Sequence, residues 1–392
     1  MDRYFQIARC FRDEDLRADR QPEFSQVDIE MSFVHSQDVM RLIEALITKV
    51  WQKTLGIDIK DHGGFGQMTY ADAIAKYGSD KPDLRFDMPI RPLSDLLPSV
   101  AVDPTETSVV EYLVVPEQGQ FTRKLMDEVK RAVKQSELNH ESIANGIYRV
   151  SEQGLKCVSS FSLLEHHKMS TALASNLLST ALPGSTVIVS RRSTNDNPAF
   201  TTLGRVRLVA AELLQRKGLL AIDANSYKFT WIHSFPLFTP ELDADGQVVR
   251  MVSTHHPFTA PSDEDIPLLE QSPCKVRAKH YDLVLNGMEI AGGSIRIHAT
   301  ELQQYIFDQV LQLPRTQRAR FDHLLTAFKH GCPPHGGIAI GLDRLLAILC
   351  GAPTIRDVIA FPKSSSGHDL LMSSPSAATN EQLNTYHIRL TD

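Results

Sequence analysis

Two segments near the start of the chain alternate their side chains with a period of two, and this pattern constrains the fold most strongly. Residues 3–12 and 25–34 each place apolar residues on one face and small or polar residues on the other, which predicts β-strands. The polar faces carry Gln6, Ala8, Cys10 and Arg12 in the first segment and Gln26, Asp28, Glu30 and Ser32 in the second. Small residues interleaved with charged ones favour the floor of a pocket, and a solvated outer face is the alternative.

The stretch that joins these strands, "FRDEDLRADRQPEF" at residues 11–24, is long and dense in charge. Hairpin loops usually have about two to five residues, and longer loops in compact domains are commonly functional. We therefore expect this loop to take part in a binding site.

A second hairpin is predicted in "HYDLVLNGMEIAGGSIRIH", residues 280–298, because Asn286-Gly287 is the preferred pair for a two-residue turn. The turn pairs residue 285 with 288 and 284 with 289. Asp282 and Glu289 then lie on one face as diagonal neighbours, roughly 7–8 Å apart at the backbone. Two carboxylates at that separation can hold one magnesium ion.

The glycine pair at 292–293 is predicted to form a β-bulge in this hairpin. A bulge changes the side-chain parity by one, which would bring Arg296 onto the face of the two carboxylates. A surface hairpin with a structural glycine pair is the alternative.

The segment "PPHGGIAIGLDRLLAIL", residues 333–349, reads as a turn, a strand and a helix. Ala339 and Gly341 leave one strand face almost without side chains, so a flat ligand can lie against it. The helix is predicted to begin at Asp343-Arg344, where backbone N–H groups and a guanidinium favour an anion. A packed strand–helix corner is the alternative. In "THHPFTAP", His255 and His256 are interpreted as hydrogen-bond donors near an anionic substrate.

Composition and periodicity place these motifs in an α+β chain of 392 residues. Helices are predicted at 36–55 and 69–78. A change in the sequence pattern predicts a separate inserted α+β domain at 92–228, between the parts at 1–91 and 229–392 that carry the motifs. The net charge of −6 does not indicate a nucleic-acid binder. Five scattered cysteines argue against a disulfide framework and a thiolate zinc site. No apolar run reaches the roughly 18 residues of a membrane span, and neither a P-loop nor a Rossmann turn is present.

Together these motifs resemble the class II aminoacyl-tRNA synthetases. Their motif 2 has Arg-x-Glu entering the loop and Phe-x-x-x-Asp leaving it, which are Arg12 to Glu14 and Phe24 to Asp28 here, and motif 3 ends in Gly-Leu-Asp-Arg, here Gly341 to Arg344. "YGSDKPDLR", "HHPFTAP", "GGSIRIH" and "IRDVIAFPK" are similar to aspartyl-tRNA synthetases of the bacterial and mitochondrial type. The resemblance covers essentially the whole chain and implies the antiparallel sheet of that class.

The resemblance also implies roles for individual residues. Arg12 and Arg344 would be catalytic, Asp282 and Glu289 would bind Mg²⁺, and His256 would assist. ATP would be bound by Arg12, Glu14, Gln21, Phe24, Glu289, Gly341, Leu342, Asp343 and Arg344. Aspartate would be bound by Arg12, Asp28, His255 and Arg296.

The implied activity is the ATP-dependent ligation of L-aspartate to tRNA(Asp). The chain starts just ahead of motif 2, so we expect a C-terminal catalytic portion without motif 1 and the anticodon-binding domain, and a homodimer only in a full-length form. The expected location is the mitochondrial matrix, with the bacterial cytoplasm as the alternative, and no membrane partner is expected. A non-catalytic synthetase paralogue and an amidating ligase on the same fold are the alternative functions.

Overall fold

The computed structural model describes residues 2–13, 16, 18–95, 108–116, 127–128, 131, 146–151, 154–157, 181–193, 199–243 and 247–391. Its strands form a large sheet, a smaller sheet and a two-stranded ribbon. With the helices that accompany them, they confirm the predicted α+β class.

Seven strands form the large sheet. They are β1 (Arg3–Phe11), β2 (Glu23–Ser32), β3 (Phe65–Thr69), β9 (Phe229–His233), β12 (His280–Leu285), β13 (Met288–Ile295) and β14 (His335–Gly341). Their spatial order is β1-β2-β14-β13-β12-β9-β3. Neighbours are antiparallel except β3 and β9, which run parallel.

A long helix, α1 (Ser36–Leu55), covers one face of this sheet and matches the predicted helix. Its Ile43 and Trp51 pack with Trp231 and Ile338 of the sheet in one core cluster, and all four are fully buried. Burial of each such side chain stabilises the fold by about 1.5–3 kcal/mol. The edge strand β1 is not covered in the same way, because its apolar side chain Phe5 is 72% exposed.

The opposite face of the sheet carries the small and polar side chains, which the strand register aligns in rows. The central row contains Gln6, Asp28, Ala339, Gly292 and Asp282. The second row contains Tyr4, Glu30, Gly337, Ser294 and His280. The rows are two residues apart along each strand, roughly 6.6 Å. The polar faces of β1 and β2 therefore coincide, as predicted.

The second hairpin has the predicted turn, with residue 285 opposite 288 and 284 opposite 289. The predicted bulge at 292–293 is wrong, because pairing continues unbroken through both glycines. The register shifts at Ile290 instead, and this side chain enters the core beneath α1. The parity change that was expected still occurs, so Arg296 lies on the same face as Glu289.

Close packing explains the glycines at 292–293. A Cβ on Gly293 would lie 2.2 Å from the carbonyl oxygen of Gly337 on β14, and one on Gly292 would lie 2.7 Å from Asp282 Oδ1. β13 could not approach β14 this closely with a side chain at 293, and a side chain at 292 would displace the Asp282 carboxylate.

The smaller sheet lies between β3 and β9 in sequence. Its strands are β4 (Ile90–Pro92), β5 (Ser108–Val115), β6 (Gly146–Ser151), β7 (Gly154–Cys157) and β8 (Thr186–Ser193), in the order β4-β5-β8-β6-β7. Helix α3 (Thr202–Arg216) packs on it through a separate apolar core. The range 92–228 for an inserted domain stays a prediction.

The remaining elements are short. The ribbon pairs β10 (Phe238–Leu242) with β11 (Val248–Ser253). The other helices are α2 (Tyr70–Tyr77), α4 (Leu268–Gln271), α5 (Thr300–Tyr305), α6 (Arg315–Arg318), α7 (Asp322–Lys329), α8 (Leu342–Leu349) and α9 (Asn380–Thr385). In the described ranges, no helix combines the length and apolar character that a membrane span requires.

The close approach of β13 and β14 can be tested with Gly293→Ala. We expect the free energy of unfolding to fall by about 1–3 kcal/mol, because the new methyl group meets backbone rather than a movable side chain. The matched control is Gly341→Ala, whose Cβ would find its nearest neighbours at 3.8 Å, and which should change stability by less than about 0.5 kcal/mol. Thermal unfolding of both variants measures the difference, and equal losses would contradict the close approach.

Candidate active site

A pocket opens where the loop after β1 meets the end of β14 and the start of α8. Its lining residues are Arg12, Asp19, Arg20, Gln21, Phe24, Ser25, Gln26, Glu289, Ile290, Ala291, Ala339, Gly341, Asp343, Arg344 and Ile355. The guanidinium of Arg12 lies 5.3 Å from the centre of the Phe24 ring. Glu14 falls outside the described residues. A cation and an aromatic ring thus face a floor that Ala339 and Gly341 leave nearly bare.

Gln21 forms one wall of this pocket and is buried. Its amide oxygen accepts a hydrogen bond of 2.7 Å from the backbone N–H of Lys363, and its amide nitrogen donates to the carbonyl of the same residue at 3.2 Å. Both bonds tie the motif 2 loop to the C-terminal part of the chain.

Arg344 spans the opposite wall. Its Nη1 donates to the carbonyl of Glu289 at 3.0 Å and its Nε to the carbonyl of Asp19 at 3.4 Å. The neighbouring Asp343 accepts a 2.8 Å hydrogen bond from the backbone N–H of Ser25. Helix α8 begins at Leu342, one residue earlier than predicted. The start of α8 is therefore fixed to the loop that carries Arg12.

The two carboxylates of the β12–β13 hairpin converge above Gly292. A Cβ there would lie 2.7 Å from Asp282 Oδ1 and 3.2 Å from Glu289 Oε1. Burial raises the pKa of Asp282, and the Asp282 charge followed by burial raises the pKa of Glu289. Two buried carboxylates whose pKa values are raised form a position that is suited to a cation.

His280 contacts one member of this carboxylate pair. Its Nε2 lies 2.9 Å from Asp282 Oδ1, and burial lowers the pKa of the ring to about 3, so it is neutral at physiological pH. His255 stacks on it with ring centroids 3.5 Å apart. Burial also lowers the pKa of His255 to about 3, so this histidine is a neutral ring rather than a cation.

Arg296 lies at the other end of the floor, beside the second row. Its Nη1 contacts Ser294 Oγ at 2.6 Å and His256 Nε2 at 2.7 Å, and its Nη2 donates to Glu30 Oε1 at 3.0 Å. Burial lowers the pKa of His256 to about 3. Asp28 lies between this cluster and the first pocket, and its Oδ1 is buried with no hydrogen-bond partner among the described residues.

Sequence reasoning did not assign a role to several residues that the structure brings here. Glu30, Ser294 and His280 form the second row, and the alternation that singled out Asp28 and Asp282 could have found them. The charges of Asp80 and Lys81 also act on the pKa of Asp282, which Asp80 raises and Lys81 lowers. Their only signal was the stretch "YGSDKPDLR", to which no role was attached.

The model of a protein family described as "tRNA synthetases class II (D, K and N)" matches residues 1–365 of the chain. The chain belongs to this family. The class II resemblance is therefore confirmed.

Several curated relatives of this class II chain are aspartate–tRNA ligases. It is 42% identical to the mitochondrial aspartate–tRNA ligase of Schizosaccharomyces pombe, over 99% of this chain and 61% of that protein. It is 42% identical to the aspartate–tRNA(Asp/Asn) ligase of Opitutus terrae, over 99% of this chain and 64% of that protein. It is 40% identical to the human mitochondrial aspartate–tRNA ligase, over 100% of this chain and 59% of that protein. The class II chain thus spans about three fifths of the length of these relatives.

The repulsion within the carboxylate pair predicts a pH effect. Both pKa values are raised in the folded state, so the folded protein binds protons more tightly than the unfolded chain. With a chelator present, the wild-type protein should therefore lose stability as the pH rises above about 4, the carboxyl pKa in the unfolded chain. Asp282→Asn keeps an acceptor for His280 but removes the repulsion, and should lose less stability between about pH 5 and pH 8. Melting temperatures in EDTA measure this. Glu270→Gln removes an exposed carboxylate as a control, and a variant curve parallel to the wild type would contradict the prediction.

Proposed function

We propose that this chain is the catalytic portion of an aspartate–tRNA ligase, which activates L-aspartate with ATP and transfers the aspartyl group to the 3′ end of tRNA(Asp). The observation that carries the proposal is the arrangement of two cationic centres on one sheet face. The pocket with Arg12 and Arg344 and the cluster around Arg296 lie on either side of the central row. The names of the relatives at 40–42% identity support the same activity.

The spacing of the two centres suits the two substrates. From Gln26, in the first pocket, to Glu30, beside Arg296, is four residues along β2, roughly 13 Å. ATP would place its adenine between Phe24 and Arg344, with its phosphates towards Arg12. Aspartate would place its side-chain carboxylate on Arg296, whose planar fork suits a carboxylate. Asp28 and His255 would hold the rest of the amino acid near the central row.

The proposed chemistry needs little proton transfer. A carboxylate oxygen of aspartate attacks the α-phosphorus of ATP and pyrophosphate leaves, so positioning and charge neutralisation matter most. A hydroxyl of the terminal tRNA ribose then attacks the activated carbonyl, the bond to the phosphate breaks, and AMP leaves together with the hydroxyl proton. Arg12 and Arg344 would neutralise the developing phosphate charge, and Glu14, Gln21, Gly341, Leu342 and Asp343 would frame the nucleotide.

We also propose Asp282 and Glu289 as ligands of Mg²⁺. Among the described residues, no group of three or more His, Cys, Asp or Glu side chains is placed to hold a metal ion. Mg²⁺ commonly takes only one or two protein carboxylates and completes its shell with water and substrate phosphate, so the convergent pair above Gly292 fits it. When bound, Mg²⁺ supplies charge neutralisation at the phosphates.

The proposal extends to assembly and location. A homodimer is proposed for a longer form of the protein. The relatives include mitochondrial and bacterial enzymes, and we propose the mitochondrial matrix, with the bacterial cytoplasm as the alternative.

The activity is tested by aspartate-dependent exchange between ATP and pyrophosphate. We expect exchange with aspartate and none with asparagine or lysine, measured on this chain and on a form extended by the upstream coding sequence. Exchange driven by asparagine or lysine would refute the substrate assignment. Exchange confined to the longer form would show that this chain needs the additional segment.

The role of Arg296 is tested by Arg296→Leu. We expect loss of aspartate-dependent exchange, because a buried carboxylate would lose its charge pair, while ATP binding measured by calorimetry stays unchanged. Arg216→Leu removes an exposed arginine of α3 as the control and should retain full exchange. Unchanged aspartate dependence in Arg296→Leu would remove this residue from its proposed role.

A further inference from the structure

Three neighbours hold the guanidinium of Arg296 on the polar face of the large sheet. Its Nη1 lies 2.6 Å from Ser294 Oγ and 2.7 Å from His256 Nε2, and its Nη2 donates to Glu30 Oε1 at 3.0 Å. Among the residues that the structure describes, none accepts a hydrogen bond from Arg296 Nε. A guanidinium carries five N–H groups in one plane, so the edge formed by Nε–H and the second Nη2–H can receive a bidentate carboxylate.

Glu30 reaches this guanidinium from a distant strand. It lies on β2, and β14 separates that strand from β13, which leads into Arg296. The Glu30 carboxylate lies over the backbone of Gly337, where a Cβ would come within 2.3 Å of the carboxylate carbon and within 2.5 Å of both oxygens. The glycine therefore allows the Glu30 side chain to pass over β14 and contact Arg296.

The other two neighbours of Arg296 carry no charge. Ser294 offers a hydroxyl, and burial lowers the pKa of His256 to about 3, so its ring is neutral at physiological pH. In the described ranges, Glu30 is the only carboxylate that forms an ion pair with Arg296. A hydrogen bond between two ionised groups is about twice as strong as one between neutral groups, so Glu30 contributes most to the orientation of the guanidinium.

We propose that Glu30 is a positioning residue for aspartate specificity: it holds the Arg296 guanidinium so that the Nε edge receives the side-chain carboxylate of the substrate. The proposal rests on the proposed function, because that function places this carboxylate on Arg296. Glu30, His256 and Arg296 border a cavity of about 600 Å³, so a ligand can reach the cluster. Without Glu30, the long arginine side chain regains rotamer freedom, which aspartate binding must then remove at an entropic cost.

Substitution of Glu30 separates the effect on aspartate from the effect on ATP. We expect Glu30→Met to raise the KM for aspartate in ATP–pyrophosphate exchange by about tenfold or more, as when one hydrogen bond to a charged group is lost, and to leave the KM for ATP unchanged. Glu30→Gln keeps an oxygen acceptor and should raise the aspartate KM by only about threefold. Glu241→Met removes the exposed ion-pair partner of Arg250 on the ribbon. It is the matched control and should change neither KM.

Gly337→Ala tests the same contact while both charged residues are kept. Its methyl group would displace the Glu30 carboxylate, so this variant should also raise the KM for aspartate and leave that for ATP unchanged. It serves as the second variant, should Glu30→Met fold poorly. An unchanged or lower aspartate KM in both variants, or an equal rise in the KM values for aspartate and ATP, would overturn the proposal.

The orientation of Arg296 can also be measured without substrate turnover. The nuclear magnetic resonance signal of its Nε–H group is assigned by its loss in Arg296→Lys, and its hydrogen exchange with water should be faster in Glu30→Met than in the wild type. Equal hydrogen exchange in the two proteins would contradict the positioning role. Wild-type ATP–pyrophosphate exchange tests the proposed function separately. A protein that lacks this activity but shows faster hydrogen exchange in Glu30→Met would refute the function and retain the contact of Glu30 as the one that orients Arg296.

Discussion

The extra residue at Ile290 determines which side chains of the β12–β13 hairpin lie on the polar face of the sheet. A shift of one residue moves every later side chain to the other face of a strand. Without it, the strand that points Glu289 towards Asp282 would point Arg296 into the core beneath α1. Since Ile290 and Ala291 both enter that core, the shift satisfies the apolar face and places a cation and two carboxylates together on the polar face.

The bare floor between these groups depends on glycines that lie beneath the carboxylates. Gly292 leaves room for the two carboxylates, and Gly337 lies directly under Glu30, where a Cβ would come within 2.3 Å of the carboxylate carbon. Gly293 allows β13 and β14 to approach on the core face of the sheet, whereas Gly292 and Gly337 leave space above the polar face for a substrate.

Local patterns predicted the local features. The period of two in residues 3–12 and 25–34, the Asn286-Gly287 turn and the helix at 36–55 depend on neighbouring residues, and all are present. The site of the bulge was missed, because a glycine pair signals backbone freedom and gives no information about which side chain a distant helix will bury. The burial of Ile290 depends on its packing beneath α1, which lies outside the hairpin sequence.

The candidate site was predictable to the extent that its residues share a strand face. Asp28 and Asp282 were placed on the polar face in this way, whereas Glu30, the partner of Arg296, lies on a strand far away in sequence. That contact exists only once β14 is placed between β2 and β13. The connector at residues 78–88 is a stronger case, since the carbonyls of Gly78 and Asp83 accept hydrogen bonds from Thr201, which caps α3, and from Arg207 within it.

That dependence changes how the second sheet and its helix should be regarded. Arg207 is fully buried, and desolvation lowers its pKa to about 10, so its charge is retained at physiological pH at an energetic cost that the connector carbonyls offset. Through these carbonyls α3 fixes a segment that also packs on the turn of the β12–β13 hairpin, where a Cβ on Gly287 would lie 3.2 Å from Asp83 Cβ. The smaller sheet and its helix thus also support the hairpin of the large sheet.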